Sequence, residues 1–156
     1  MTPMRQRYLE DFKLGETFRS LTRTLSEKHY ALFAEMTGDK HPIHYDAAYA
    51  RQQGWQAPIA HGLMLLGMCA FGAAQISEEL NESMIAMLGN DVRYRKPVFI
   101  GDTVTPEFKV TSIEPKDNNR GVLRLAISLY NQRNELVLEG THVLIIKRRA
   151  ADRPSL

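Results

Sequence analysis

Beyond residue 100 the chain alternates apolar and polar side chains with a period of two, three times over. Val104, Phe108 and Val110 are interleaved with Thr105, Glu107, Lys109 and Thr111. Leu123, Leu125, Ile127 and Leu129 follow, with Arg124 and Ser128 between them. After the turn-like Asn131-Gln132-Arg133-Asn134 come Leu136 and Leu138, then Leu144 and Ile146. Successive residues of a strand face opposite ways, so these runs read as antiparallel strands with one buried face. The partner for that face lies upstream. From about His61 to Gln75, and on toward Leu80, the chain is apolar on nearly every side of a helix (Leu63, Met64, Leu65, Leu66, Met68, Phe71), which predicts one long buried helix. Gly62, Gly67 and Gly72 along it suggest close approach of another backbone or a ligand. A buried helix against a curved antiparallel sheet is an α+β domain. The 156 residues suit one domain spanning 1–156, with its core at about 8–148.

The N-terminal part has clear punctuation. Residues 1–7 read as a loose lead-in, and Thr17 to Leu25 as a first strand. Ser26 caps a helix carrying Glu27 in its first turn and Tyr30, Phe33 and Ala34 at helical spacing; Gly38 stops it. Pro42 disfavours helical backbone at His41, so Lys40 to Ile43 is a turn. Asp46 caps a short helix through Arg51, ended by Gly54.

Charge and cysteine content narrow the classes. A net charge of +2, with only the short basic runs Arg93–Lys96 and Lys147–Arg149, leaves no nucleic-acid footprint. The N-terminal basic residues lack the apolar stretch of a secretory signal, and Ile59–Ile76 is too mixed and too short for a membrane span. The single cysteine, Cys69, excludes an internal disulfide and reads as a small buried hydrophobe; a reducing cytoplasm is the expected location.

The chemistry concentrates in Gly38-Asp39-Lys40-His41-Pro42-Ile43-His44-Tyr45-Asp46 and in Ile59-Ala60-His61-Gly62. Asp and His suit proton transfer near neutral pH. Those two segments, with Tyr94-x-x-Pro97-Val98-x-x-Gly101-Asp102, resemble the MaoC-like (R)-specific enoyl-CoA hydratases and dehydratases of the hot-dog fold, in order and spacing, from about Tyr8 to Lys147. The resemblance implies a long central helix wrapped by a sheet, and a homodimer or higher homo-oligomer with active sites near the interface. It implies an acyl-CoA thioester substrate, sometimes a carrier-protein thioester, and no metal or redox cofactor. Carried over by motif position, Asp39 and His44 are the catalytic pair and the Gly62 N–H holds the thioester oxygen. His61, His41 and Tyr94 are further candidates for contact with substrate. His61 reads equally as structural at the loop-to-helix junction, and Tyr94 as a packing residue. Asp39 as base with His44 as proton donor is one division of labour; both handling the same water is another.

This chain departs from the common pattern in two places. His41 stands where Asn is usual, which adds a titratable group, and Gly67 falls where a serine often follows the His-Gly segment. A metal centre built on His41, His44, Asp39 and Asp46 is set aside, because Pro42 disrupts a shared helical face and no distant His completes a set. His29 and His142 read as surface or structural residues, and Asp102 as turn chemistry. Arg51, Arg93 and Arg95 are candidates for a second carboxylate or the CoA phosphates. Two other functions fit the same fold: an acyl-CoA thioesterase, disfavoured because the only acids near the central helix, Glu78 and Glu79, lie at its far end, and a non-catalytic acyl-thioester binding subunit.

Overall fold

A computed structural model describes residues 5–149. Six strands form one antiparallel sheet: β1 (Thr17–Arg19), β2 (Arg23–Thr24), β3 (Met84–Tyr94), β4 (Thr103–Pro115), β5 (Arg120–Asn131) and β6 (Leu136–Lys147). The order is β1-β4-β5-β6-β3, with β2 also pairing with β4. In β4 to β6 the alternation does what its period predicts. Phe108 sits opposite Ile127, Leu125 opposite His142 and Leu123 opposite Leu144, all buried on one face. Each Leu or Ile so buried contributes about 1.5–3 kcal/mol.

The first strand is two short pieces rather than one: the pairing with β4 lapses after Ser20, whose amide still donates to the Pro106 carbonyl while the residue also bridges to Ala74. β3 has no counterpart in the sequence reading. Its pairing with β6 shifts register twice, between Met84 and Ala86 and between Met87 and Gly89, which scrambles the alternation by which a strand is recognised. Its neighbour Gly140 leaves no room for a side chain, because a Cβ there would lie 2.0 Å from the Asp91 carbonyl oxygen.

The central helix is a second correction. Instead of one long helix, α3 spans Gly62–Met68, followed by 3-10 turns at Phe71–Ala73 and Gln75–Leu80. Ala70 and Ala74 between them adopt extended ψ angles of 118° and 144°. The carbonyl freed at Cys69 accepts from His142 Nε2 at 2.9 Å, so a tertiary hydrogen bond replaces a helical one. The segment is nonetheless the filling of the sheet: Met64, Leu65, Cys69, Phe71, Ile76 and Leu80 are buried, and Phe71 meets Phe108 edge-on at 5.1 Å. This is the hot-dog arrangement with a broken filling.

The remaining elements follow their caps. α1 (Glu27–Thr37) begins at Ser26, whose amide (3.1 Å) and hydroxyl (2.9 Å) both meet His29 Nδ1, and ends at Gly38 with φ of 76°. α2 (Ala47–Gln52) is capped by Asp46, whose carboxylate accepts from the Ala48 and Tyr49 amides. Of the presumed lead-in, residues 1–4 lie outside the described residues, while Arg7 is anchored by two hydrogen bonds to the Glu16 carboxylate. His142 is structural, and buried rather than on the surface. Among the described residues no helix is long and apolar enough to cross a membrane.

Candidate active site

The left-handed turn at Gly38 swings the chain out of α1 and delivers Asp39 to a tight loop. The Asp39 amide donates to Thr37 Oγ1 (3.2 Å), and its carboxylate accepts the His41 amide (3.1 Å). Pro42 then starts a 3-10 turn over Pro42–His44. That turn aims His44 at the segment before α3. There the Ile43 carbonyl accepts the Ile59 amide (3.2 Å), and His44 Nδ1 lies 2.7 Å from the Ile59 carbonyl oxygen. A carbonyl only accepts, so Nδ1 carries the proton and Nε2 is the nitrogen left free for chemistry.

His61 caps α3 from beneath His44. The two imidazoles stack at 3.8 Å with a 27° tilt, and His61 is only 2% exposed. Burial and the neighbouring His44 pull its pKa down, while Asp39 partly offsets them. Asp39, His44 and His61 bring their donor atoms within 4.8 Å of one another. A distant histidine therefore does join the loop, contrary to the expectation from spacing.

Gly62, the first residue of α3, has an amide that no backbone carbonyl among the described residues takes up. It opens onto a pocket of about 340 Å³ whose walls include His44, Trp55, Ile59, Leu65, Tyr94 and Val98. The Tyr94 ring covers Gly62 so closely that a Cβ there would lie 2.8 Å from it. Tyr94 is thus a wall of the pocket as well as a packing residue, and burial pushes its hydroxyl pKa up.

The other candidates fall elsewhere. His41 is exposed, accepts the Ile43 amide on Nδ1 and does not line the pocket. Asp46 is a helix cap, and Asp102 holds its turn by accepting the Phe99 amide (2.9 Å). Arg95 and Lys96 stand at the pocket rim, ion-paired with Glu139 and Glu135 respectively. Arg93 pairs with Asp91 instead, and neither it nor Arg51 reaches the pocket. Glu78 and Glu79 lie in the last 3-10 turn, Glu79 near Arg7, and neither lines the pocket that His44 lines. Cys69 is fully buried, and burial pushes its thiol up to about 12, so it is no nucleophile. The sequence reading passed over Trp55 and Leu65 in the pocket wall. It also passed over Tyr45, whose hydroxyl reaches His61 Nε2 at 2.9 Å.

The family model described as "MaoC like domain" matches residues 11–129. The chain belongs to the MaoC-like family. Among curated MaoC-like relatives, a 3-hydroxybutyryl-CoA dehydratase of Methylorubrum extorquens is 31% identical over 150 residues, 96% of this chain and 90% of that one. An (R)-specific enoyl-CoA hydratase of Rhodospirillum rubrum is 34% identical over 109 residues, 70% of this chain and 73% of that one. A solved structure, described as a monoamine oxidase regulatory protein from Archaeoglobus fulgius, superposes with a TM-score of 0.88 at 32% identity, covering 96% of this chain and 99% of that one. The family supports hydratase and dehydratase chemistry, and this MaoC-like chain is an enzyme of that lyase kind.

Proposed function

We propose that this protein adds water to trans-2-enoyl-CoA to give (R)-3-hydroxyacyl-CoA, and catalyses the reverse dehydration. The observation that carries the reading is one arrangement: a tautomerically fixed His44, the Asp39 carboxylate beside it and the unpaired Gly62 amide. His44 and Gly62 open onto one pocket. In the forward direction the water oxygen bonds to C3 and a proton arrives at C2. Asp39 orients the water and draws off its proton, and His44 relays a proton through Nε2. Charge that grows on the thioester oxygen meets the Gly62 N–H, a donor already in place. His61 braces His44 from below and stays uncharged. The reaction calls on no metal or redox cofactor, and two copies of the chain form the working unit.

The test follows the enoyl-thioester absorbance of crotonyl-CoA with wild type and Asp39→Asn. Wild type is expected to bleach the band, and Asp39→Asn to slow it by about 10²–10⁴-fold. Thiol released in step with the bleaching would favour the thioesterase, since hydrolysis also removes the enoyl thioester, whereas hydration frees no thiol. A flat trace for wild type across short, long and branched enoyl-CoAs would overturn the reading.

A further inference from the structure

The two groups given the chemistry above are held in place largely by neighbours that never reach the pocket. Asp39 is an exposed loop residue, and the His44 ring is held by the Ile59 carbonyl and by its stack on His61. Tyr45 connects them. Its hydroxyl lies 3.1 Å from the Asp39 carbonyl oxygen, 3.2 Å from the Tyr30 carbonyl oxygen and 2.9 Å from His61 Nε2. A phenol has a single proton, and both carbonyls can only accept. The arrangement is satisfied when His61 Nε2–H donates to the Tyr45 oxygen and the Tyr45 O–H goes to the two carbonyls. Its ring stands edge-on to Tyr30 at 6.4 Å and to His44 at 6.2 Å, so the hydroxyl cannot swing away without disturbing both. Three separate stretches of chain meet at this one oxygen: α1, the loop that carries the pair, and the cap of α3.

We propose that Tyr45 is a positioning residue for the Asp39–His44 pair, and that its hydroxyl sets the spacing between the carboxylate and the imidazole. This rests on the reading that those two residues carry the hydration. Tyr45 itself does not line the pocket and touches no substrate. Through the Asp39 carbonyl it fixes where the carboxylate emerges. Through His61 it fixes the platform on which His44 stacks at 3.8 Å. A hydroxyl that acts this way changes the turnover step and not the affinity, because a small displacement of reacting groups costs rate out of proportion to its size.

Tyr45→Phe removes the hydroxyl and keeps the ring. Crotonyl-CoA hydration is measured for wild type and variant, each at least 10 °C below its own thermal midpoint, so that only folded molecules are compared. The expected result is a kcat about ten- to a hundredfold lower with KM within about twofold of wild type. A kcat within twofold of wild type overturns the proposal. So does a loss carried by KM, which would make Tyr45 a binding residue, or a lower midpoint with full kcat, which would make it a structural strut. An inactive wild type would sink the hydration reading itself, and so fails separately.

Discussion

His61 and His142 are both held uncharged, and that ties stability to pH. His142 is 2% exposed, its Nε2 donating to the Cys69 carbonyl; its Nδ1 meets the end of the Asn90 amide, and with a neutral ring that amide is turned so that its NH2 donates to Nδ1. Burial pulls its pKa down, as it does for His61. Unfolding frees both rings to titrate near the ordinary value of 6.5. The unfolded chain therefore binds more protons once the pH falls toward that value, and the folded state loses ground by up to about 1.4 kcal/mol per pH unit for each ring. From these two rings stability should be level above neutrality and fall as the pH drops through 6.5. His142→Gln keeps a donor for Cys69 without the titration, so its melting midpoint should start lower yet decline less steeply over that range. Parallel curves for variant and wild type in a thermal scan would refute the assignment. At this scale the sequence is legible wherever cause and effect are close neighbours. Ser26, Gly38 and Asp46 act on amides and carbonyls within four residues and could be read directly. The stacking of His61 on His44 could not, since it depends on Ile59 folding back against Ile43.

Within α3 two glycines that look alike in sequence have different jobs. Gly62 faces the Tyr94 ring, with 2.8 Å available to a Cβ, whereas at Gly67 nothing lies within 4 Å. Gly62→Ala must push Tyr94 off the pocket wall. A half-exposed ring can yield, so the protein should fold, with its hydration rate reduced about tenfold or more and a Tyr94→Ala partner change restoring part of it. Gly67→Ala meets open space on a helix and should add roughly 0.5–1 kcal/mol by restricting the unfolded chain. That raises the melting midpoint by about 1–4 °C and leaves turnover unchanged. If both variants behaved alike in activity, the role given to Tyr94 as a wall would fail. Composition placed both glycines on a buried apolar segment but could not tell them apart. Nor could it show where the helix stops, because the break is fixed by the His142–Cys69 hydrogen bond and by the Ser20–Ala74 bridge, between residues 73 and 54 apart in the chain. The strands of β4 to β6 were legible for the converse reason: their period is set residue by residue and survives except at one bulge in each pairing.

For the molecule as a whole the unresolved face is the β3 edge of the sheet. Among the described residues β3 pairs only with β6, so the other side of an eleven-residue strand presents amides and carbonyls that none of them pairs. It also carries exposed apolar side chains, with Ile85 at 45%, Met87 at 43% and Leu88 at 56% exposure. A long apolar edge is an open template for association, and soluble chains normally blunt or cover theirs. Here no proline interrupts β3, and its charged residues, Asp91 and Arg93, are spent on each other at the far end. A second copy related by a two-fold axis covers such an edge with the same edge, which is the commonest closed arrangement and fits the pairing proposed for this family member. Light scattering behind a sizing column should therefore find a dimer. Leu88→Lys places a charge on the strand where it must be desolvated, and should shift the population to monomer at micromolar concentration. Leu88 does not line the pocket, so activity lost in step with the dimer, and regained at high protein concentration, would mean that the partner completes or steadies the site. A wild type that is monomeric throughout would leave β3 uncovered and overturn the pairing; a monomeric Leu88→Lys with full turnover would keep the dimer but confine catalysis to the single chain.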